Sequence, residues 1–250
     1  GPNQRDITSV PLGGKLVIGD PAPTSVIADY KIAGFDFSNA RNPLPATFDA
    51  SGALQAGTVA IPADIVSQGG FSRISLFTNG TVNVPADVSL ALAPGGSFSV
   101  NARHINIAGD ISAPSGTIGL TTTLTQGALG QPQDYSIVLA PGAHLNAGGL
   151  WTNDSRKVTE TPGGVISTQG GKVTISSTYD LTLGANSTID VSGGGWMQSN
   201  DKIKSGEAGS SSLESGNTTL NGVPSPGDLA LGGTLNGYAL GKGGSLSLKT

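Results

Sequence analysis

Apolar and polar residues alternate along this chain in short bursts. Between residues 170 and 195, Val173/Ile175, Leu181/Leu183 and Ile189/Val191 each enclose one polar residue, and successive pairs start eight residues apart. Upstream, Phe98/Val100, Ile105/Ile107, Ile111/Ala113 and Ile118/Leu120 follow one another at offsets of seven, six and seven. Ile74/Leu76, Val82/Val84 and Val88/Leu90 precede them; Ile137/Leu139, Leu145/Ala147, Leu229/Leu231 and Leu246/Leu248 come later. Alternation over three to five residues places every second side chain on one face, which predicts a strand with one buried side.

Three such strands recur about every 20–24 residues, with Gly, Asn, Asp and Pro between them. A Gly-Gly or Ser-Gly pair precedes the first strand of several periods: Gly69-Gly70, Gly95-Gly96, Ser115-Gly116, Gly170-Gly171 and Gly243-Gly244. A triangular coil with turn residues at its corners accounts for this spacing. A single coil cannot bury its own apolar face, so coils stack, each strand pairing in parallel with its counterpart about 4.8 Å away. The predicted fold is all-β, a parallel β-helix of triangular coils with loop excursions. Short strands at this spacing also occur in β-sandwiches, which need not repeat in threes.

The regular pattern covers residues 69–250 and is interrupted at 121–135 and 151–168. The longest break, 196–227, is polar and rich in Ser and Gly, and reads as a long loop or a partly disordered excursion from one corner. Residues 3–68 are less regular. Val17/Ile18, Ile27, Ile32, Phe35/Phe37 and Val59/Ile61 suggest strands around a Pro-containing loop at 41–46, either irregular coils or a flanking extension. Gly1-Pro2 reads as a protease scar, so an excised piece of a longer protein is expected.

Composition sharpens the picture. The chain has 39 Gly among 250 residues and 12% charged residues, about half the usual share, while 36% of it is hydrophobic. That balance supports a packed, turn-rich β protein and argues against disorder throughout. A net charge of −4 with no basic cluster argues against nucleic acid and anionic membranes as partners. No apolar run approaches the roughly 18 residues of a membrane span, so membrane insertion is not expected. With no cysteine there is neither a disulfide nor a thiolate nucleophile.

Candidate chemistry is sparse. His104 and His144 lie far apart in sequence, and each reads as a corner or strand-edge residue. Asp87, Asp110, Asp180 and Asp190 stand beside strands at turn-like positions, where Asp bonds its own backbone. Some β-helix enzymes gather carboxylates on one face to cleave polysaccharides, but so lightly charged a chain has little material for that. Gly241-Lys242-Gly243 falls short of a phosphate loop, because Gly follows Lys242 where Ser or Thr is required. Neither a catalytic residue, a metal site nor a cofactor is expected. Trp151 and Trp196, each where regular spacing ends, are the candidate ligand contacts, since exposed aromatic rings pack on sugar C–H groups. Covering the core where a loop departs is the plainer role for both, and the one this reading favours.

Several stretches resemble the filamentous haemagglutinin-like exoproteins of bacterial two-partner secretion. They are ADYKIAGFDFSNA (28–40), PADVSLALAPGGSFSVNARHINIAGDISAPSGTIGL (85–120), LAPGAHLNAGGLWTND (139–154), GGKVTISSTYDLTLGANSTIDVSGGGW (170–196) and GYALGKGGSLSL (237–248). The resemblance spans most of residues 25–250 and rests on the order of these elements, including Gly-Leu-Trp-Thr-Asn-Asp and Gly-Gly-Gly-Trp. It implies a very long protein, secreted or held on the cell surface, with a right-handed β-helical shaft. The partner it implies is an outer-membrane secretion pore; host or biofilm glycans or cell-surface receptors are further partners. The family's secretion motif contains Asn-Pro-Asn, whereas this chain has Asn42-Pro43-Leu44, so the chain reads as shaft. The expected role is a structural shaft segment for adhesion and biofilm formation. Alternatives are a glycan-binding module, a polysaccharide lyase or hydrolase, and the shaft of a contact-dependent toxin-delivery protein.

Overall fold

A computed structural model describes residues 15–18, 58–61, 63–78, 80–123, 135–155, 164–220 and 223–250. The protein is a parallel β-helix. Each winding visits three faces in turn. Face one holds Arg73–Phe77, Ser97–Ala102, Thr117–Thr122, Lys172–Ser176, Ser210–Glu214 and Ser245–Lys249, stacked in that order. Face two continues with Thr81–Val84, His104–Ile107, Ile137–Leu139, Leu181–Leu183 and Leu229–Leu231. Face three holds Ser89–Ala91, Asp110–Ser112, His144–Asn146, Thr188–Asp190 and Thr234–Asn236. Every pairing between rungs on these faces is parallel and without slippage.

The register aligns the inward side chains into columns. On face two, Val82, Ile105, Ile137 and Leu181 follow one another, all fully buried. Leu90, Ile111, Leu145 and Ile189 do the same on face three. Face one contributes Phe98, Ile118 and Val173, and beside them Val100, Leu120, Ile175 and Leu213. These residues form one continuous core. Burying each large aliphatic side chain contributes about 1.5–3 kcal/mol, and stacking is what buries them.

Glycine builds the corner between faces three and one. Gly96, Gly116, Gly171 and Gly209 each stand immediately before a face-one strand, and each carbonyl accepts an N–H from the next rung: Thr117, Lys172, Ser210 and Ser245, at 2.9, 2.8, 3.0 and 3.1 Å. A Cβ on Gly116 would run into Gly96 O, one on Gly171 into Gly116 O, and one on Gly209 into Gly171 O. The repeated glycine before the strand is therefore a requirement of close stacking. Between faces two and three, Gly142 and Asn186 both adopt positive φ, 80° and 60°, and Gly142 N–H donates to Ala185 O at 3.0 Å. Asn is one of the few residues other than Gly that visits this conformation readily. Past face three, side-chain oxygens shape the turn: Asn146 Oδ1 accepts from Gly148 N–H at 2.9 Å, and Asp190 Oδ1 accepts from Ser192 N–H at 2.8 Å one rung on.

The third corner is polar and buried. Thr122 Oγ1 donates to Tyr135 O at 2.9 Å and accepts from Thr178 N–H at 2.7 Å, while Thr178 Oγ1 donates to Thr122 O at 3.0 Å. Ser225 Oγ donates to Thr178 O at 2.6 Å. Tyr135 and Tyr179 pack beside this network with ring centroids 6.2 Å apart.

Two features depart from simple stacking. Lys15–Ile18 lies on face two between Thr58–Ile61 and Thr81–Val84, parallel to both, so the strand order there is not the chain order. A short helix, Ala63–Ser67, packs at the outer edge of face three: Val66 is buried, and Ser67 Oγ accepts from Ala91 N–H at 3.0 Å. At the other end no described strand stacks beyond Ser245–Lys249, and its inward Leu246 and Leu248 stand 53% and 48% exposed. Of the segments expected to be irregular within 3–68, only residues 15–18, 58–61 and 63–68 are described; Ile27, Ile32, Phe35/Phe37 and the 41–46 loop lie outside the described residues.

The 196–227 stretch, read from sequence as one loop, contains a strand of the helix itself. Ser210–Glu214 pairs with Lys172–Ser176 on one side and Ser245–Lys249 on the other, burying Ser211 and Leu213. Only one of its two inward residues is apolar, which is why alternation did not reveal it. The flanking segments are genuine excursions. One is the hairpin Gly195–Met197 with Ile203–Ser205, the other the pair Thr219–Leu220 with Val223–Pro224.

Candidate functional site

The most elaborate excursion grows from the corner after face three. In one rung the chain leaves through Gly148-Gly149 into Trp151–Asn153; in the next it leaves through Gly193-Gly194 into Gly195–Met197. These strands pair in parallel, and Ile203–Ser205 adds antiparallel to the second. The result is a three-stranded lateral sheet projecting from the shaft. The returning chain braces it: Leu150 N–H donates to Ser167 O at 2.6 Å, Gly194 N–H to Thr168 O at 2.7 Å, and Thr152 Oγ1 to Val165 O at 2.7 Å.

Both tryptophans singled out in the sequence lie on this sheet, but on opposite faces. The register sets Trp151 against Gly195 and Thr152 against Trp196. Trp196 is partly buried, and its indole Nε1–H donates to Asp154 Oδ2 at 2.7 Å. Asp154 N–H donates in turn to Met197 O at 2.8 Å, so Trp196 ties the two strands together. Trp151 is 65% exposed. Its ring lies over Gly195, where a Cβ would stand 2.5 Å from Cζ3, so only glycine lets the indole settle on the neighbouring strand. Beside it opens a cleft of about 380 Å³, lined by Pro94, Leu150, Trp151, Thr152, Asn153, Gly164 and Val165.

The ionisable residues are distributed differently. Asp110 and His144 neighbour each other in register on face three, with Thr188 next in line. Asp190 shapes a turn, and Asp180 Oδ1 accepts from Asp228 N–H of the next rung at 3.0 Å. His104 is in register with Thr81 on face two. Among the described residues no group of three or more His, Asp or Glu is placed to hold a metal ion. Glu214 on face one is held from both neighbouring rungs. Lys249 on the next rung hydrogen-bonds to it at 2.5 Å and Ser176 on the previous rung at 3.0 Å, and these hold its carboxyl below the usual range against a smaller opposing effect of burial. This outward ladder ties three rungs of face one.

No described helix is long and apolar enough to cross a membrane. No protein-family model, curated protein or solved structure matches the chain.

Proposed function

We propose that this chain is a segment of the rigid β-helical shaft of a large secreted bacterial adhesin of the filamentous haemagglutinin kind. Its parent is carried across the outer membrane through a partner pore, and the segment holds adhesive surfaces away from the cell. The observation that supports this reading is the uninterrupted register of aliphatic columns along all three faces. Each rung adds about 4.8 Å of rise, a ring of hydrogen bonds to its neighbours and a slice of core. Stretching or bending such a stack pulls on the whole ring of hydrogen bonds between two rungs and opens the core between them. The absence of cysteine suits passage of an unfolded chain through a pore, since no disulfide forms beforehand.

Spacer function is additive in rungs, and that is testable. Residues 97–116 form one complete winding, because Ser97 and Thr117 occupy the same point on consecutive rungs. Deleting them from the parent protein brings Ile74 and Leu76 onto Ile118 and Leu120. The expected outcome is a parent that still appears on the surface and still adheres. Loss of adhesion by a parent still folded and displayed would show that the segment itself does the recognising. Export that persists after removal of the partner pore would overturn the proposed route.

A further inference from the structure

The lateral sheet is more than the shaft needs, and its exposed face carries a feature that stacking does not explain. A core-covering tryptophan would turn its ring inward; Trp151 instead rests its six-membered ring against Gly195 and remains 65% exposed to solvent. The geometry points to a carbohydrate-binding platform at Trp151, selective for neutral glycans. This proposal does not depend on the spacer role or on the route of secretion.

Three observations select the occupant. The first is the ring itself: a pyranose offers a flat patch of C–H groups that packs on an indole face, and a ring already held in place loses little freedom on binding. Second, the cleft beside it is about 380 Å³, at the lower end of the roughly 300–1,000 Å³ of small-ligand sites. A protein partner would need about 800 Å² of each surface, far more than one indole and this cleft provide. Third, among the described residues lining the cleft none carries a charge, and the chain as a whole is at −4. The described lining offers uronic acids and sulfated sugars no cationic partner, and the net charge of the chain disfavours them. Pro94, Leu150 and Val165 supply apolar walls, while the exposed Asn153 adds a polar side chain. Trp196, committed to Asp154, takes no part.

The chain has only two tryptophans, so intrinsic fluorescence reads the site directly. The purified 250-residue chain is titrated with cellohexaose, maltohexaose, laminarihexaose and mannohexaose, with polygalacturonate as the charged control. The expected result is a saturable change with at least one neutral hexasaccharide, unaltered by 0.5 M salt (roughly 3–5 Å screening length) because no ion pair contributes. Trp151→Ala should weaken that binding at least about tenfold, which isothermal calorimetry measures once the reporter is gone. Its circular dichroism should match the parent chain, since the side chain is exposed. Gly195→Ala, which lifts the ring off the strand, should weaken binding in the same direction, and Trp196→Phe should preserve it. Silence from all four hexasaccharides overturns the proposal. So does binding that survives Trp151→Ala, or a preference for polygalacturonate that salt abolishes.

Discussion

At the scale of single residues, buried serines separate two situations that the sequence writes identically. Ser177 is fully buried, and its Oγ donates to Asp180 O at 2.8 Å. Ser211 occupies an inward position in the face-one column between Val173 and Leu246, 5% exposed, with its Oγ lacking any hydrogen-bond partner. A hydroxyl buried without a partner costs about 1–3 kcal/mol. Ser211→Val should therefore stabilise the chain by about 1 kcal/mol, whereas Ser177→Val should destabilise it by a comparable or larger amount. Urea unfolding of the two variants checks the opposite signs; a destabilising Ser211→Val would show that this hydroxyl is satisfied after all. The tryptophans teach the same lesson. Sequence identified both as candidate contacts, but their separation into a strut and an open ring depends on Asp154, 42 residues from Trp196, and on Gly195 beneath Trp151. Neither relation shows in the local sequence.

At the scale of strands and corners, what could be read from sequence is whatever repeats. The aliphatic pairs from Ile74/Leu76 to Ile189/Val191 announced their strands because each rung must place apolar side chains at the same two positions. The glycines before the face-one strands were visible for the same reason, and the structure supplies the cause. Gly171 packs against the backbone of Gly116 with no room for a Cβ, while Gly119, on the outward side of its strand, has only Ser99 Cβ 4.0 Å away. Gly171→Ala should cost at least about 2 kcal/mol through forced separation of two rungs. Gly119→Ala should be neutral or stabilising by several tenths of a kcal/mol, roughly the usual gain from removing a strand glycine. Thermal melts distinguish the pair, and equal effects would mean that the ladder does not constrain the corner. What repetition does not encode stayed hidden. Ser210–Glu214 shows a single inward aliphatic residue; the Ala63–Ser67 helix occurs once; Lys15–Ile18 reaches its place between strands more than 40 residues away in the chain.

For the whole molecule, the same point of the coil recurs at Arg73, Ser97, Thr117, Lys172, Ser210 and Ser245, at intervals of 24, 20, 55, 38 and 35 residues. The long intervals are excursions, so length in sequence and length in space diverge. The average spacing of the apolar pairs suggests eight or so coils; face two is seven strands deep, about 29 Å at ~4.8 Å per step. Excursions leave the stack unbroken because each returns to the same register. The spacer reading stands on that invariance, and it is directly measurable. Thr174 and Ser212 face outward on adjacent rungs, paired in register across 38 residues of sequence that include the lateral hairpin. Neighbouring positions on parallel strands lie about 4.8 Å apart, within the span of a disulfide. In this cysteine-free chain, Thr174→Cys with Ser212→Cys should cross-link almost completely on mild oxidation of the folded protein. Thr174→Cys with Glu214→Cys, offset by two residues, should cross-link poorly. A chain in which the offset pair reacts as well as the aligned one, or in which neither reacts, does not stack its windings in this register, and the rigid shaft is lost with them.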